Sequence, residues 1–134
     1  NANPVSLDEL LRRSDIVSLH VPLNQHTRGM ISVNELGMMK ASAFIVSTCR
    51  GPVIDEKALY SALTSGKIAA AGLDVLEEEP TPTDNPLLDL SNVVVTPHMA
   101  GLTYEANIRA VEFGYANIQR ALSGQTPESL VTPD

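Results

Sequence analysis

The sequence holds one cysteine, Cys49, so no disulfide can close within the chain, and a lone thiol fits a reducing compartment. Basic residues are also scarce. Nine Lys and Arg stand scattered against sixteen Asp and Glu, giving a net charge of −7 and a pI of about 4.8. Such a chain offers no positive stripe to a phosphate backbone, which argues against a nucleic-acid partner. Long apolar runs and a basic-then-apolar leader are absent too, so neither a membrane partner nor a secretory route is expected. The expected location is the cytoplasm. His20 and His26 lack the short spacing to other histidines or carboxylates that a metal site requires, and no metal is expected. Asn1-Ala2-Asn3-Pro4 contains no initiator methionine, and the 134 residues read as a piece of something longer.

What the chain does have is a core's worth of apolar residues. Its hydrophobic fraction is 43% and its mean hydropathy is near zero, which suits one soluble globular domain. A helix is expected at the start, with Ser6 as N-cap, Glu9 as its capping-box partner and Leu7, Leu10 and Leu11 as the buried face. Ile16 to Val21 reads as a strand stopped by Pro22, which cannot donate to a ladder. Ser32 and Glu35 repeat the capping-box spacing before Leu36, Met38 and Met39. A second strand, Ala43 to Thr48, leads through Cys49-Arg50-Gly51-Pro52 to a helix capped by Asp55, with Ala58, Leu59, Ala62 and Leu63 on one stripe and Gly66 as its C′ residue. Two further short apolar runs, Ala71 to Val75 and Val93 to Thr96, resemble buried parallel strands. The proline-rich segment between them is mainly loop. From about Thr103 to Gly124 a one-faced helix is expected, with Ile108, Val111, Tyr115, Ile118 and Leu122 in steps of three and four. Residues 125–134 are a tail or the start of another domain.

The chemistry gathers where these strands stop. Arg50, Asp74 and His98 follow three successive strand candidates at equal intervals, the pattern produced by βαβ units whose loops open on one sheet edge. Open α/β sheets bind ligands at that edge. His98 can exchange a proton, a carboxylate on the loop before it, Glu79, can hold its ring, and Arg50 presents a planar fork of donors suited to a carboxylate. Taken singly, each has a blander reading: His98 as a turn residue, Arg50 as a surface arginine, Asp74 as a turn cap, and Glu77, Glu78 and Glu79 as a solvated acidic face. Their joint placement on one edge favours a site. Cys49 has no histidine nearby in sequence, so a backbone role beside a crevice is preferred to that of a nucleophile.

Several ordered motifs support the same view. The runs from Ser47 to Glu56 and from Gly66 to Val75, with Glu79-Pro80, Asn85-Pro86-Leu87-Leu88 and Thr96-Pro97-His98-Met99-Ala100-Gly101, resemble the D-isomer-specific 2-hydroxyacid dehydrogenases. The resemblance extends from the Ser6 helix to Gly124. It implies the second half of a Rossmann-type doubly wound parallel sheet followed by a long C-terminal helix. Residues 1–101 would be the end of the NAD(P)-binding domain, 102–124 a helix leading back to the substrate domain, and 125–134 a tail or part of that domain. The implied activity moves hydride between NAD, with NADP an alternative, and a small 2-oxo or 2-hydroxy acid.

By the same resemblance, Arg50 binds the substrate carboxylate, His98 exchanges a proton with the substrate oxygen, and Glu79 tunes the histidine. Cofactor contacts are implied at Val21, Pro22, Thr27, Thr48, Cys49, Arg50, Asp74, His98, Ala100 and Gly101, most of them through backbone. The family's glycine-rich turn does not occur in these residues and is expected upstream of Asn1. A homodimer is expected for the complete enzyme. A dinucleotide-sensing scaffold or corepressor of the same fold is the alternative.

Overall fold

The computed structural model describes residues 2–131; Asn1 and 132–134, the last part of the expected tail, lie outside the described residues. The chain divides into two units, 1–100 and 101–134.

In the first unit, β1 (Ile16–Leu19), β2 (Phe44–Ser47), β3 (Ala70–Leu73) and β4 (Val93–Val95) form one parallel sheet in the order β1-β2-β3-β4. Ile16 lies opposite Phe44, Phe44 opposite Ala70, and Ala71 opposite Val93. Parallel neighbours need crossovers, and right-handed crossovers taken in one direction put every connection on the same face. That geometry explains the burial. Val17, Leu19, Ile45, Ala71 and Leu73 join Leu11, Leu36, Leu59 and Leu63 in one core, while Ile16, Phe44 and Val94 on the other face are exposed. Of the two runs likened to buried strands, β3 buries Ala71 and Leu73, whereas Val94 of β4 is exposed and Val93 and Val95 are half-buried.

Local chemistry explains the helices α1 (Leu7–Arg13), α2 (Val33–Met38) and α3 (Glu56–Thr64). The Ser6 hydroxyl accepts the Glu9 N–H, but Glu9 does not complete a capping box, because its carboxylate takes Arg13 one turn on at 2.5 Å. Only Leu11 of α1 is buried; Leu7 and Leu10 are 38% and 37% exposed, contrary to the expected face. A helix of seven residues is too short to bury a wide stripe. At α2 the Glu35 carboxylate accepts the Ser32 N–H at 3.0 Å, and the Ser32 hydroxyl donates to Asp55. Asp55 in turn accepts the Ala58 N–H and caps α3, whose buried residues are Ala58, Leu59, Ala62 and Leu63, as their spacing predicts. Gly66, at φ +70°, ends that helix where a side chain would be strained.

All four strands end early. β1 stops at Leu19 instead of Val21, β2 at Ser47 instead of Thr48, β3 at Leu73 instead of Val75 and β4 at Val95 instead of Thr96, so the chain leaves the ladder before the residues assigned to ligand contact. The connection from β3 to β4 contains one 3₁₀ turn, Pro86–Asp89, whose Leu87 is buried in the core.

The second unit is the 19-residue helix α4 (Tyr104–Leu122) and the segment after it. Thr103 accepts the Ala106 N–H at its start, and Gly124 at φ +74° follows its end. None of its residues is buried, although its apolar residues keep the helical stripe. Residues 125–131 are not a free tail: Arg120 pairs with the Glu128 carboxylate, and the Glu128 N–H donates to Asn117 at 2.7 Å. No helix among the described residues is long and apolar enough to cross a membrane.

Ile45 lies at the middle of the covered face with no exposed surface. Ile45→Val should lower the unfolding free energy of the chain by about 0.5–1.5 kcal/mol in a urea titration, the usual cost of one buried methyl group. An unchanged midpoint would mean that this face is not tightly packed.

Candidate active site

The strands run parallel, so their C-terminal ends share one edge, and Arg50, Asp74 and His98 follow β2, β3 and β4 there. The edge opens into two clefts. One, of about 790 Å³, is lined by His20, Val21, Pro22, Leu23, Thr48, Cys49 and Arg50. The other, of about 720 Å³, is lined by residues that include Asp74, Leu76, Glu79, Thr96 and His98. Arg50 and His98 thus share an edge but not a cleft, because β3 lies between the strands that carry them.

His98 and Glu79 meet in the second cleft. His98 Nδ1 lies 2.8 Å from Glu79 Oε2, and Glu79 Oε1 accepts the Leu76 N–H at 3.3 Å. An ionised carboxylate can only accept, so Nδ1 carries the hydrogen and Nε2 is left for a ligand. The backbone of His98 is held as firmly. Its φ of +51° is in the left-handed region, which a residue with a Cβ enters at a cost, and its N–H donates to the Asp74 and Thr96 carbonyls at 2.9 and 3.0 Å. All three neighbouring glutamates are exposed, and Glu79 is the one that reaches the ring.

Asp74 explains why the turn holds that shape. Its carboxylate is 5% exposed and accepts the Thr96 hydroxyl at 2.5 Å, the Met99 N–H at 2.9 Å and the Ala100 N–H at 2.8 Å. Burial alone would raise its pKa, but these hydrogen bonds outweigh burial and hold the carboxyl below its ordinary value. The side chain is therefore committed to the 96–100 turn, the turn-cap reading weighed above. A depressed folded-state pKa stabilises the protein above the ordinary carboxylate range, and that contribution is lost as pH falls through the folded value. Asp55, held low by the Ala58 N–H and the Ser32 hydroxyl against burial, acts in the same direction. Urea stability of the chain should fall on acidification, and Asp74→Asn should flatten that fall as well as lower stability at neutral pH. An identical pH slope in the variant would show that Asp74 is not linked to folding.

In the first cleft Thr27 acts indirectly. Its hydroxyl donates to the Pro22 carbonyl at 2.6 Å and accepts the Asn24 N–H at 2.9 Å, so it fixes the loop that presents Val21 and Pro22. Cys49 is buried with its sulfur 3.3 Å from the Ser47 hydroxyl. Arg50 is exposed, and one terminal nitrogen donates to the Cys49 carbonyl at 2.6 Å, leaving its other donors for a ligand. At Gly51 what lies close to the backbone is the chain itself. A Cβ at Gly51 would sit 1.9 Å from the Leu76 carbonyl oxygen. Ala100 meets Asp74, and Gly101 belongs to the second unit. Thr96 and Leu76 were not singled out from the sequence. The signal for Thr96 lay in its position one residue before the Pro97-His98 pair, at a strand end. Among the described residues, no group of three His, Cys, Asp or Glu is placed to hold a metal ion.

Residues 1–100 match the family model for the D-isomer specific 2-hydroxyacid dehydrogenase, NAD binding domain. A glyoxylate reductase from Korarchaeum cryptofilum is 48% identical over 130 residues, which are 97% of this chain and 39% of that protein. The D-lactate dehydrogenase of Lactobacillus jensenii, solved with NAD+, superimposes with a TM-score of 0.90 at 32% identity, over 96% of this chain and 43% of its own. A D-isomer specific 2-hydroxyacid dehydrogenase from Xanthobacter autotrophicus Py2, solved with NADPH and MES, gives a TM-score of 0.84 at 39% identity, over 95% and 52%. The chain thus spans about two fifths of the length of the glyoxylate reductase it matches. With its parallel sheet and the motifs along it, this chain belongs to the D-isomer specific 2-hydroxyacid dehydrogenase family, in the NAD binding domain.

Proposed function

We propose that these residues are the second half of the NAD-binding domain of a dehydrogenase that interconverts a 2-oxo acid and a D-2-hydroxy acid. Residues 1–101 supply the end of that domain, 102–124 the helix back to the substrate domain, and 125–134 a tail or the beginning of it. The observation that carries the reading is the Glu79–His98 pair on the ligand-binding edge of a parallel sheet. His98 Nε2–H gives a proton to the substrate oxygen in reduction and takes it back in oxidation. Glu79 accepts from Nδ1, fixes the ring and balances the charge of the imidazolium. Arg50 pairs its guanidinium with the substrate carboxylate.

The first cleft suits part of a dinucleotide: Val21, Pro22 and Leu23 give it apolar walls, and Arg50 is a positive group suited to an anion. NAD bound at this edge would supply or accept the hydride. NAD is the preferred cofactor and NADP the alternative, since no ribose-reading carboxylate is assigned in this chain. Glyoxylate, hydroxypyruvate and 3-phosphoglycerate, or its oxidised form, are the candidate substrates. A homodimer working in the cytoplasm, without nucleic acid or membrane, completes the proposal.

The test is a turnover assay of the complete protein with NADH or NADPH and a panel of 2-oxo acids, following loss of reduced nicotinamide. Saturable reduction of at least one acid is expected. Tight cofactor binding with no turnover of any acid would replace the enzyme by the sensing scaffold.

A further inference from the structure

The loop carrying Glu79 has almost no regular structure, so something outside it must set where that carboxylate lies. Two residues of the preceding βα unit touch it. Glu56, at the start of α3, accepts the Glu77 N–H on one carboxylate oxygen and the Asn85 side-chain amide on the other, the latter at 3.0 Å. Both ends of the loop are thereby drawn to one side chain. Gly51 packs against the same place from the sheet edge. An added Cβ would be 1.9 Å from the Leu76 oxygen and 2.5 Å from the Glu77 nitrogen, both of them backbone atoms that cannot swing aside. The next contact is Leu76 N–H to Glu79 Oε1, and the one after it Glu79 Oε2 to His98.

We propose that Gly51 and Glu56 are positioning residues for the proton-transfer pair: they clamp the Leu76–Glu77 peptide and so hold Leu76, whose own N–H, in the adjoining peptide, aims the Glu79 carboxylate at His98. This rests on the proposed function for its kinetic consequences, but the clamp itself is a geometric statement about this chain. Glu56 is half-buried at the first position of α3, and neither of its hydrogen-bond partners, Glu77 and Asn85, lines either cleft, so a direct role toward substrate is not needed to explain its bonds. Gly51 also joins the two clefts mechanically, since it follows Arg50 and touches the loop that leads to Glu79.

The experiment is a double-mutant cycle in the complete enzyme with Glu56→Ala, Glu79→Gln and both. Glu56→Ala should lower kcat by about 10- to 100-fold, the scale of a misplaced catalytic group, with cofactor KM little changed. Added to Glu79→Gln, it should cost less than threefold more, because its effect passes through Glu79; roughly, interacting residues are non-additive where distant ones add. Glu56→Gln retains an acceptor for the Glu77 N–H and should recover most of the rate. Additive losses, or a Glu56→Gln variant as slow as Glu56→Ala, would overturn the proposal.

A readout free of turnover separates failure of the clamp from failure of the enzyme reading. In the 134-residue chain, the nitrogen-15 shifts of the His98 ring should report hydrogen on Nδ1, and Glu56→Ala should reduce that preference while α3 and the sheet keep their amide spectrum. An unchanged ring signal would sink the clamp even if the wild-type enzyme turns over. A changed signal would support it even if no 2-oxo acid is reduced.

Discussion

Replacing His98 by Asn in the complete enzyme should lower the rate of 2-oxo acid reduction by about 10²- to 10⁴-fold, the range a positioned acid contributes. Asparagine is the informative choice because His98 stands at φ +51°, a conformation that Asn tolerates better than most residues with a Cβ. The turn held by Asp74 should therefore persist, and Asn can still offer Glu79 a donor. What is lost is a group that can carry a proton at the Nε2 position. Cofactor affinity should change little, and the losses in kcat and in kcat/KM should be similar, the signature of an interaction made in the transition state. Steady-state kinetics near wild type would remove His98 from the mechanism. A collapse of cofactor binding would show instead that the substitution had disturbed the edge.

Arg50→Ala is expected to act on the other side of the reaction, through substrate affinity. A bidentate arginine–carboxylate pair supplies two charge-assisted hydrogen bonds at about 1.5–3 kcal/mol each, so the apparent KM for the 2-oxo acid should rise by roughly 10²-fold or more. Arg50→Lys keeps the charge but loses the fork and should fall between Ala and wild type. Arginine at this position is already partly organised in the free protein, because one terminal nitrogen is fixed on the Cys49 carbonyl at 2.6 Å. Pre-organisation of this kind reduces the side-chain entropy lost when the carboxylate binds. Equal KM values for all three proteins would place the carboxylate elsewhere. A fall in kcat with unchanged KM would make Arg50 a transition-state group rather than a substrate anchor.

The two effects also differ in location, since the first concerns the cleft of Glu79 and His98 and the second the cleft of Val21, Thr48 and Arg50. Both clefts lie on one edge of the sheet, with β3 and Asp74 between them. A substrate that meets Arg50 and His98 together must bridge the end of β3. Asp74 is thus well placed as the fixed point of the site: buried, ionised and satisfied by the turn that carries the histidine.

Much of this was legible in the residues themselves. Caps at Ser6, Asp55 and Thr103, the stripe Ala58-Leu59-Ala62-Leu63, and the glycines at 66 and 124 each depend on atoms no more than about one helical turn away, so spacing in the chain carries the information. The repeated strand-to-helix interval likewise implied a parallel sheet, and with it a shared edge for Arg50, Asp74 and His98. Other features needed contacts between residues far apart in sequence. Which of Glu77, Glu78 and Glu79 reaches His98 is set by the path of an irregular loop, and periodicity has nothing to report there. That Gly51 makes room for the Leu76–Glu77 peptide rather than a ligand, and that Asp74 spends its carboxylate on Thr96, Met99 and Ala100, follows only once β2, β3 and β4 lie side by side. Local propensity determined the elements and the edge; close packing between strands distant in sequence decided how the site is divided and what holds each group in place, because such contacts leave no fixed spacing along the chain.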